Sequence, residues 1–167
     1  MIGGDNMRYA GLMGNDVVDG NGVCVSFWVQ GCPHKCAGCY NSQTWDFNGG
    51  KELPEDILEQ IDAAITANGL QRNFSVLGGE PLCIENISLT QELLKHVKNI
   101  FPKIRTYVWT GYVLEELKKC EYKDIVEETL KLIDVLVDGP YEEDKRDLSL
   151  SLRGSRNQRI LYKGKDF

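Results

Sequence analysis

The sequence VCVSFWVQGCPHKCAGC, residues 23–39, joins a run of β-branched and aromatic residues to a cluster of three cysteines. The apolar run over residues 23–29 ends close to Gly31, and it predicts a buried β-strand. The three cysteines therefore lie in the loop that follows the carboxyl end of this strand.

The same order of a short apolar strand and an amphipathic helix recurs along the chain. Apolar runs predict three further strands, over residues 74–77, 104–109 and 133–137. Between the strands, apolar stripes at helical spacing predict helices. The first helix is indicated by Pro54 at its start and by Gly69 after its apolar residues Ile57, Leu58, Ile61, Ala64 and Ile65. The second is indicated by a capping box of Ser88 and Gln91 and by Pro102 after its apolar residues Leu89, Leu93, Leu94 and Val97. The third is indicated by Leu114 and Leu117.

Strands that alternate with helices predict an α/β fold around a parallel sheet. In such sheets, ligands bind at the carboxyl ends of the strands. Those ends carry residues 31–39, the motif Gly78-Gly79-Glu80-Pro81, residues 109–112 and Asp138. The chain has 167 residues, which predicts one domain over 1–167 but is too short for a complete eight-stranded β/α barrel of ~250 residues.

Composition and charge exclude several classes of protein. Apolar residues make up 42% of the chain and charged residues 26%, as in an ordinary globular protein. The formal net charge of −6 disfavours electrostatic binding to nucleic acid. No apolar stretch approaches the ~18–20 residues of a membrane helix, and Asp5 and Asn6 near the amino terminus do not fit a secretory signal. We therefore predict a cytoplasmic protein that binds neither a membrane nor nucleic acid directly.

Three cysteines at the spacing Cys-x3-Cys-x2-Cys predict a metal centre. Cys32, Cys36 and Cys39 can supply three thiolates to one soft centre from a single tight loop. A structural zinc ion or an ordinary [4Fe-4S] carrier takes four ligands, so three cysteines leave one metal position open for chemistry. Zinc completed by His34 or Cys24 is the alternative, although His34 lies inside the loop and Cys24 lies on the strand.

The remaining cysteines do not resemble a disulfide framework. Cys24, Cys83 and Cys120 are scattered along the chain, and we predict that they are small buried apolar residues. A reducing compartment therefore fits the cysteine content better than an oxidising one.

The motif Gly78-Gly79-Glu80-Pro81 directly follows the second predicted strand. Two glycines allow a backbone to come close to a ligand, and Pro81 stiffens the turn. Glu80 offers a carboxylate to an ammonium group. A simple tight turn is the alternative, since Gly-Gly turns after strands are common. Together with the cysteine loop, the motif predicts a ligand that bears an amino group and a carboxylate and that chelates an open iron while Glu80 binds the ammonium.

Several motifs resemble those of a known family, the radical S-adenosylmethionine activases of glycyl radical enzymes. The motif at residues 78–81 resembles the one that holds the methionine amino group in that superfamily. Three other segments resemble the branch of the family that acts on anaerobic ribonucleoside-triphosphate reductases. The activase signature lies at residues 19–23, 30–41 and 44–46, and the branch-specific segments lie at 109–112, 138–141 and 153–159.

The resemblance implies a partial, open β/α barrel of the radical S-adenosylmethionine type. It implies that Cys32, Cys36 and Cys39 are catalytic and hold a [4Fe-4S] cluster whose fourth iron is chelated by S-adenosylmethionine. A flavodoxin or ferredoxin is the implied electron donor. The implied product is a glycyl radical on the large subunit of the reductase, which is expected to cover the open side of the barrel. The predicted cofactor-binding residues are Gly38, Cys39, Tyr40, Gly78, Gly79, Glu80, Thr110 and Asp138.

The sequence departs from the commonest superfamily pattern at the third cysteine. An aromatic residue usually precedes it, whereas here Gly38 precedes and Tyr40 follows. We assign the adenine contact to Tyr40. Thr110 and Asp138, at the ends of two strands, are predicted to contact the ribose or carboxylate of the cofactor, with ordinary turn chemistry as the alternative.

Two alternative functions stay open from the sequence. The first is an activase of another glycyl radical enzyme, such as a formate-lyase, from which residues 109–112 and 153–159 distinguish this chain. The second is a zinc or iron–sulfur binding module that acts as an adaptor or electron carrier without catalysis.

Overall fold

The computed structural model describes residues 7–167, which build a seven-stranded sheet with helices packed on one face. The strands are β1 (Arg8–Asp16), β2 (Cys24–Val29), β3 (Lys51–Glu52), β4 (Asn73–Gly78), β5 (Thr106–Trp109), β6 (Val135–Asp138) and β7 (Arg159–Tyr162). The helices are α1 (Ile57–Thr66), α2 (Ile87–Ile100), α3 (Leu114–Leu117) and α4 (Lys123–Leu130). Short 3-10 turns occur at Ser42–Thr44, Ala67–Gly69 and Glu143–Lys145.

The strands are arranged in the order β3-β1-β2-β4-β5-β6-β7, and the sheet is open. The four central strands, β2, β4, β5 and β6, are parallel to one another. The three outer pairs are antiparallel. The predicted α/β class and the parallel centre are confirmed, whereas the antiparallel strands β1, β3 and β7 are additions to the prediction.

Helix α2 begins two residues earlier than its predicted capping box requires. Its first residue is Ile87, and Asn86 holds the N-cap position, so the prediction that Ser88 caps this helix is wrong. The Asn86 side chain instead donates hydrogen bonds to the carbonyl oxygens of Gln30, Gly31 and Glu80, at 3.1, 3.1 and 3.0 Å. The start of α2 is therefore joined to the loops that follow β2 and β4.

Strand alternation gives the sheet two different faces. On one face, the side chains at positions such as Val25, Phe27 and Val76 pack against the helices in the main core. On the other face, Cys24, Tyr107 and Val135 form a smaller buried cluster. The main core holds the helices in place, and the second face lies towards the candidate site.

The described helices are short. The longest, α2, has 14 residues, and within residues 7–167 no helix has the length and apolar character needed to cross a bilayer.

Candidate functional site

A cavity of about 530 Å³ lies at the carboxyl ends of β2, β4 and β5. Sites of ~300–1,000 Å³ hold cofactors and other small molecules in proteins. Leu77 and Trp109, from the face of the sheet without helices, form part of its wall. Of the predicted site residues, all but Asp138 line this cavity: Cys32, Cys36, Gly38, Cys39, Tyr40, Gly78, Gly79, Glu80 and Thr110.

The cysteine loop is fixed to the chain that follows it. The Gly31 amide donates to the Thr44 carbonyl at 2.8 Å, and the Cys32 amide donates to the Trp45 carbonyl at 3.1 Å. Lys35 has a left-handed backbone, with φ of 49°. These contacts and this turn direct the loop along one side of the cavity.

Burial controls the protonation of two of the clustered thiols. It raises the pKa of Cys32 to about 11, although the backbone amides of His34 and Lys35 act in the opposite direction. Burial also raises the pKa of Cys36, and the Tyr141 amide opposes that shift. Both groups therefore favour the neutral thiol until a metal displaces the proton, since the thiolate is the ligating form.

The donor set fits an iron–sulfur cluster better than a single zinc ion. A structural zinc ion takes four ligands on one metal, whereas three cysteines can bind three different irons of a [4Fe-4S] cluster. His34 bonds to Glu80, and Cys24 is fully buried against the sheet, so neither completes a zinc site.

Glu80 is held by four hydrogen bonds and is only 1% exposed. Its Oε1 accepts from the Thr110 hydroxyl at 2.7 Å and from the Leu82 amide at 2.9 Å. Its Oε2 accepts from the Gly111 amide at 2.7 Å and from the His34 imidazole at 2.9 Å. A buried carboxylate fixed in this way presents a negative charge that solvent screens poorly.

The two glycines before Glu80 are required by a close approach between two loops. A Cβ on Gly79 would lie 2.2 Å from the Gly31 carbonyl oxygen. Gly78 has φ of 108°, and a Cβ there would meet Trp28 at 2.8 Å. The Glu80 amide donates to the Gly31 carbonyl at 2.8 Å in the same contact. Close packing against β2 and the loop that follows it thus accounts for both glycines, and their predicted cofactor contact stays a prediction.

Tyr40 lies at the edge of the cavity with its side chain 95% exposed. The chain leaves the ring uncovered, so the predicted adenine contact would need the ring to meet a ligand at the mouth. That role stays a prediction.

Asp138 has other partners than the predicted cofactor. It shares a face of β6 with Leu136, which packs in the helix-side core. Its carboxylate accepts from the Leu114 amide at 2.8 Å and from the Arg159 guanidinium at 2.9 Å. The structure therefore does not support the predicted cofactor contact: alternation along β6 turns the carboxylate towards α3 and away from the cavity.

Two further residues of the site were not assigned a role from the sequence. His34 was considered only as a zinc ligand, yet its imidazole bonds to Glu80. Asp19 lines the cavity, and burial together with the neighbouring Asp16 raises its pKa to about 7. The one sequence feature that could have pointed to Asp19 is its place in the motif at residues 19–23, but that motif alone does not indicate where the side chain lies.

The mouth of the cavity carries exposed apolar side chains beside charged ones such as Arg146. Val18, Tyr40 and Leu148 line it, and they are among the four most exposed large apolar side chains of residues 7–167. Leu148 lies in the long segment between β6 and β7, and its side chain is 85% exposed. Exposed apolar groups gathered at one opening are typical of a surface that meets another molecule.

The fold and this three-thiol site agree with the family whose model the chain matches. Residues 18–161 match the family model of the 4Fe-4S single cluster domain. The protein is therefore of the class that carries one such cluster domain.

Curated relatives identify the family more closely. An anaerobic ribonucleoside-triphosphate reductase-activating protein of Pasteurella multocida is 39% identical over 158 residues, which are 94% of this chain and 98% of the relative. Proteins of the same name from Vibrio cholerae and bacteriophage T4 are 36% and 34% identical; each match covers 92% of this chain, with 97% and 93% of the relative. The chain belongs to the family of anaerobic ribonucleoside-triphosphate reductase-activating proteins.

Proposed function

We propose that the protein cleaves S-adenosylmethionine reductively and generates the glycyl radical on an anaerobic ribonucleoside-triphosphate reductase. The observation that carries this proposal is the single cavity that unites three clustered thiols with the buried Glu80 carboxylate. The open sheet is compatible with the partial β/α barrel of radical S-adenosylmethionine proteins. The names of the relatives support the choice of the reductase as partner.

Cys32, Cys36 and Cys39 are the residues that hold the cluster in this proposal. Three thiolates leave one of the four irons without a protein ligand. When bound, the cluster supplies one electron to the sulfonium, which yields methionine and a 5′-deoxyadenosyl radical that takes a hydrogen atom from a glycine Cα of the reductase.

Glu80 orients the cofactor by attracting its ammonium group. The carboxylate is buried at the wall of the cavity, so its charge acts over a short distance through a medium of low polarity. Thr110 and Gly111 hold it there. The methionine end of the cofactor is thereby placed between the cysteine loop and the end of β4.

The reductase covers the open mouth. A radical reaction requires that water and other hydrogen donors be excluded, and the mouth of this cavity is open in the chain alone. The apolar side chains of Val18, Tyr40 and Leu148 surround that opening. A segment of the reductase that bears the glycine would bury them and complete the pocket.

The electron comes from an external flavodoxin or ferredoxin in a reducing compartment, for which we propose the cytoplasm. All six cysteines are free thiols in the structure, which is the form that such a compartment maintains.

The proposal is tested by anaerobic reconstitution with iron and sulfide, followed by S-adenosylmethionine and a strong reductant. We expect slow release of methionine and 5′-deoxyadenosine from the protein alone. Addition of an anaerobic ribonucleotide reductase should produce a glycyl radical signal in electron paramagnetic resonance. A reductase with that glycine changed to alanine is the control, and it should lose the signal while cofactor cleavage continues.

Other outcomes identify the alternatives. A radical formed on a formate-lyase, with none on the reductase, would assign a different partner. A colourless preparation that retains zinc and cleaves no cofactor would return the protein to the class of binding modules.

A further inference from the structure

We propose, on the basis of the function proposed above, that His34 is a positioning residue for cofactor binding. It connects the cysteine loop to the Glu80 carboxylate and so fixes the ammonium-binding group relative to the cluster. The sequence alone placed His34 only among the candidates for zinc.

The imidazole of His34 is held on three sides. Its Nε2 lies 2.9 Å from Oε2 of Glu80, and since a carboxylate oxygen accepts, Nε2 carries the hydrogen. Its ring meets the ring of Tyr112 edge to face, with centroids 4.4 Å apart. A Cβ on Gly111 would lie 2.5 Å from the His34 ring, so the imidazole occupies space that is open only because residue 111 is glycine.

His34 is the one donor to Glu80 that comes from the cysteine loop. The other three donors are the Leu82 amide, which follows β4, and the Thr110 hydroxyl and Gly111 amide, which follow β5. Those three orient the carboxylate relative to the sheet. The Glu80 backbone is bonded separately to Gly31, but among the donors to the carboxylate only His34 lies between Cys32 and Cys36 in the chain.

This arrangement has a consequence for the cofactor. A ligand that chelates iron and also binds Glu80 requires a fixed distance between the two groups, and binding weakens when one of them moves. Loss of the His34 bond frees the Glu80 carboxylate from the cysteine loop, while the three thiols stay in the loop and the Glu80 amide stays bonded to Gly31. Affinity for S-adenosylmethionine should therefore fall more than cluster content.

The test compares His34→Ala with His34→Gln, whose amide nitrogen can replace Nε2 as a donor. His96→Ala is the matched control, because His96 makes a similar bond of 2.8 Å to Asp62 between α1 and α2, outside the cavity. Cluster content is measured as iron and sulfide per chain, and affinity by titration of the reduced cluster's paramagnetic spectrum with S-adenosylmethionine. We expect His34→Ala to keep its iron and to bind the cofactor about tenfold more weakly, the ordinary effect of one hydrogen bond to a charged group. His34→Gln should recover most of the affinity, and His96→Ala should match the unaltered protein.

A second measurement does not depend on the cofactor. Thermal unfolding of the metal-free protein is compared for His34→Ala, Glu80→Gln and the double variant. Because the two side chains share a bond, the double variant should lose less stability than the sum of the single losses.

The outcomes separate the two proposals. Additive losses of stability, unchanged affinity in His34→Ala, or iron lost in parallel with affinity would overturn the role of His34 while the proposed function stands. If the unaltered protein with a full cluster binds no S-adenosylmethionine, the proposed function fails, and the inference about His34 fails with it.

Discussion

At the residue scale, the position of each cysteine separates the predicted ligands from the others. Cys32, Cys36 and Cys39 line the cavity. Cys24 and Cys83 are buried, as predicted, and Cys120 is partly exposed and packs against the main core. The two groups should therefore respond differently to substitution.

We expect Cys36→Ala to abolish reconstitution of a redox-active [4Fe-4S] cluster, because two protein thiolates do not hold it. Cys32→Ala and Cys39→Ala should behave alike. Cys24→Ser, Cys83→Ser and Cys120→Ser are the controls and should retain full iron content. Iron and sulfide analysis with the visible absorption of the cluster measures the result. Full iron binding by Cys36→Ala would contradict the ligand assignment.

Asp19 should make stability depend on pH. Burial and the neighbouring Asp16 raise the pKa of Asp19 from 3.8 to about 7. Between these two pH values, the folded protein keeps a proton on Asp19 that the unfolded chain has lost. The contribution of Asp19 to the free energy of unfolding is therefore fully present below pH 4. It is lost as the pH rises to about 7, by ~1–2 kcal/mol once solvent screening is allowed for.

The Asp19→Asn variant should lack this part of the pH dependence. Urea unfolding of the metal-free protein at pH 4.5 and 7.5 measures the free energy of unfolding of both proteins. An equal change with pH in the two proteins would show that Asp19 is ionised throughout.

Sequence reasoning placed nine of its predicted site residues at the cavity, whereas Asp138 lies outside the cavity lining. The cysteines and residues 78–80 follow strands whose carboxyl ends meet at one edge, so their convergence could be predicted. The fourth strand was predicted to end at Val137, whereas β6 continues through Asp138. One more residue of regular strand determines which face the carboxylate occupies, and an apolar run does not specify that boundary.

At the element scale, Arg159 joins β7 to β6 and α3. Its guanidinium donates to Asp138, which is fully buried, and to Glu115 on α3, at 3.1 and 2.7 Å. Removal of the guanidinium leaves the Asp138 carboxylate buried without its charged partner. We expect Arg159→Ala to lower the free energy of unfolding by ~3 kcal/mol.

An exposed arginine in the same region is the control for this experiment. Arg156 lies 4.0 Å from Asp147 at the surface, so Arg156→Ala should change stability by less than ~0.5 kcal/mol. Chemical denaturation of both variants measures the difference. Equal effects would mean that the Arg159 pair is no more important than a surface contact.

The elements missed from the sequence have weak local signals. Strand β1 contains Gly11 and Gly14 and has two irregularities in its register with β2, so apolar and polar residues do not alternate along it. Strand β3 has only two residues. The four parallel strands were found because β-branched and aromatic residues are concentrated in them, and α1 and α2 because their apolar stripes are regular.

At the scale of the whole molecule, the mouth of the cavity should decide association with the reductase. Leu148→Asp replaces one of the exposed apolar side chains of the mouth by a charge, and we expect at least ~10-fold weaker association, since burying a charge in an interface opposes binding. Uncoupled cleavage of S-adenosylmethionine by the activase alone should be unchanged.

The matched control is Leu70→Asp. Leu70 is also an exposed leucine, at 60%, but it precedes the amino-terminal end of β4, whereas the cavity lies at the carboxyl ends of the strands. Association is measured by co-sedimentation and by the yield of glycyl radical. Equal loss of association in the two variants would show that the mouth is not part of the interface with the reductase.

The prediction of one domain over residues 1–167 stays a prediction at this scale. The first six residues lie outside the described part of the chain. Strand β7 was not predicted, because its pairing with β6 is a long-range contact that local sequence does not indicate.

The segment from Gly139 to Gln158 crosses from β6 to β7 with a single 3-10 turn and no strand or helix. It carries the exposed arginines Arg146 and Arg156 beside the exposed Leu148. Trypsin cleaves after arginine and prefers irregular exposed chain, so this segment should be the first to be cut in the isolated protein. If the reductase lies across the mouth, the same bonds should survive digestion, and the protected fraction at each reductase concentration would give the occupancy of the interface from a gel.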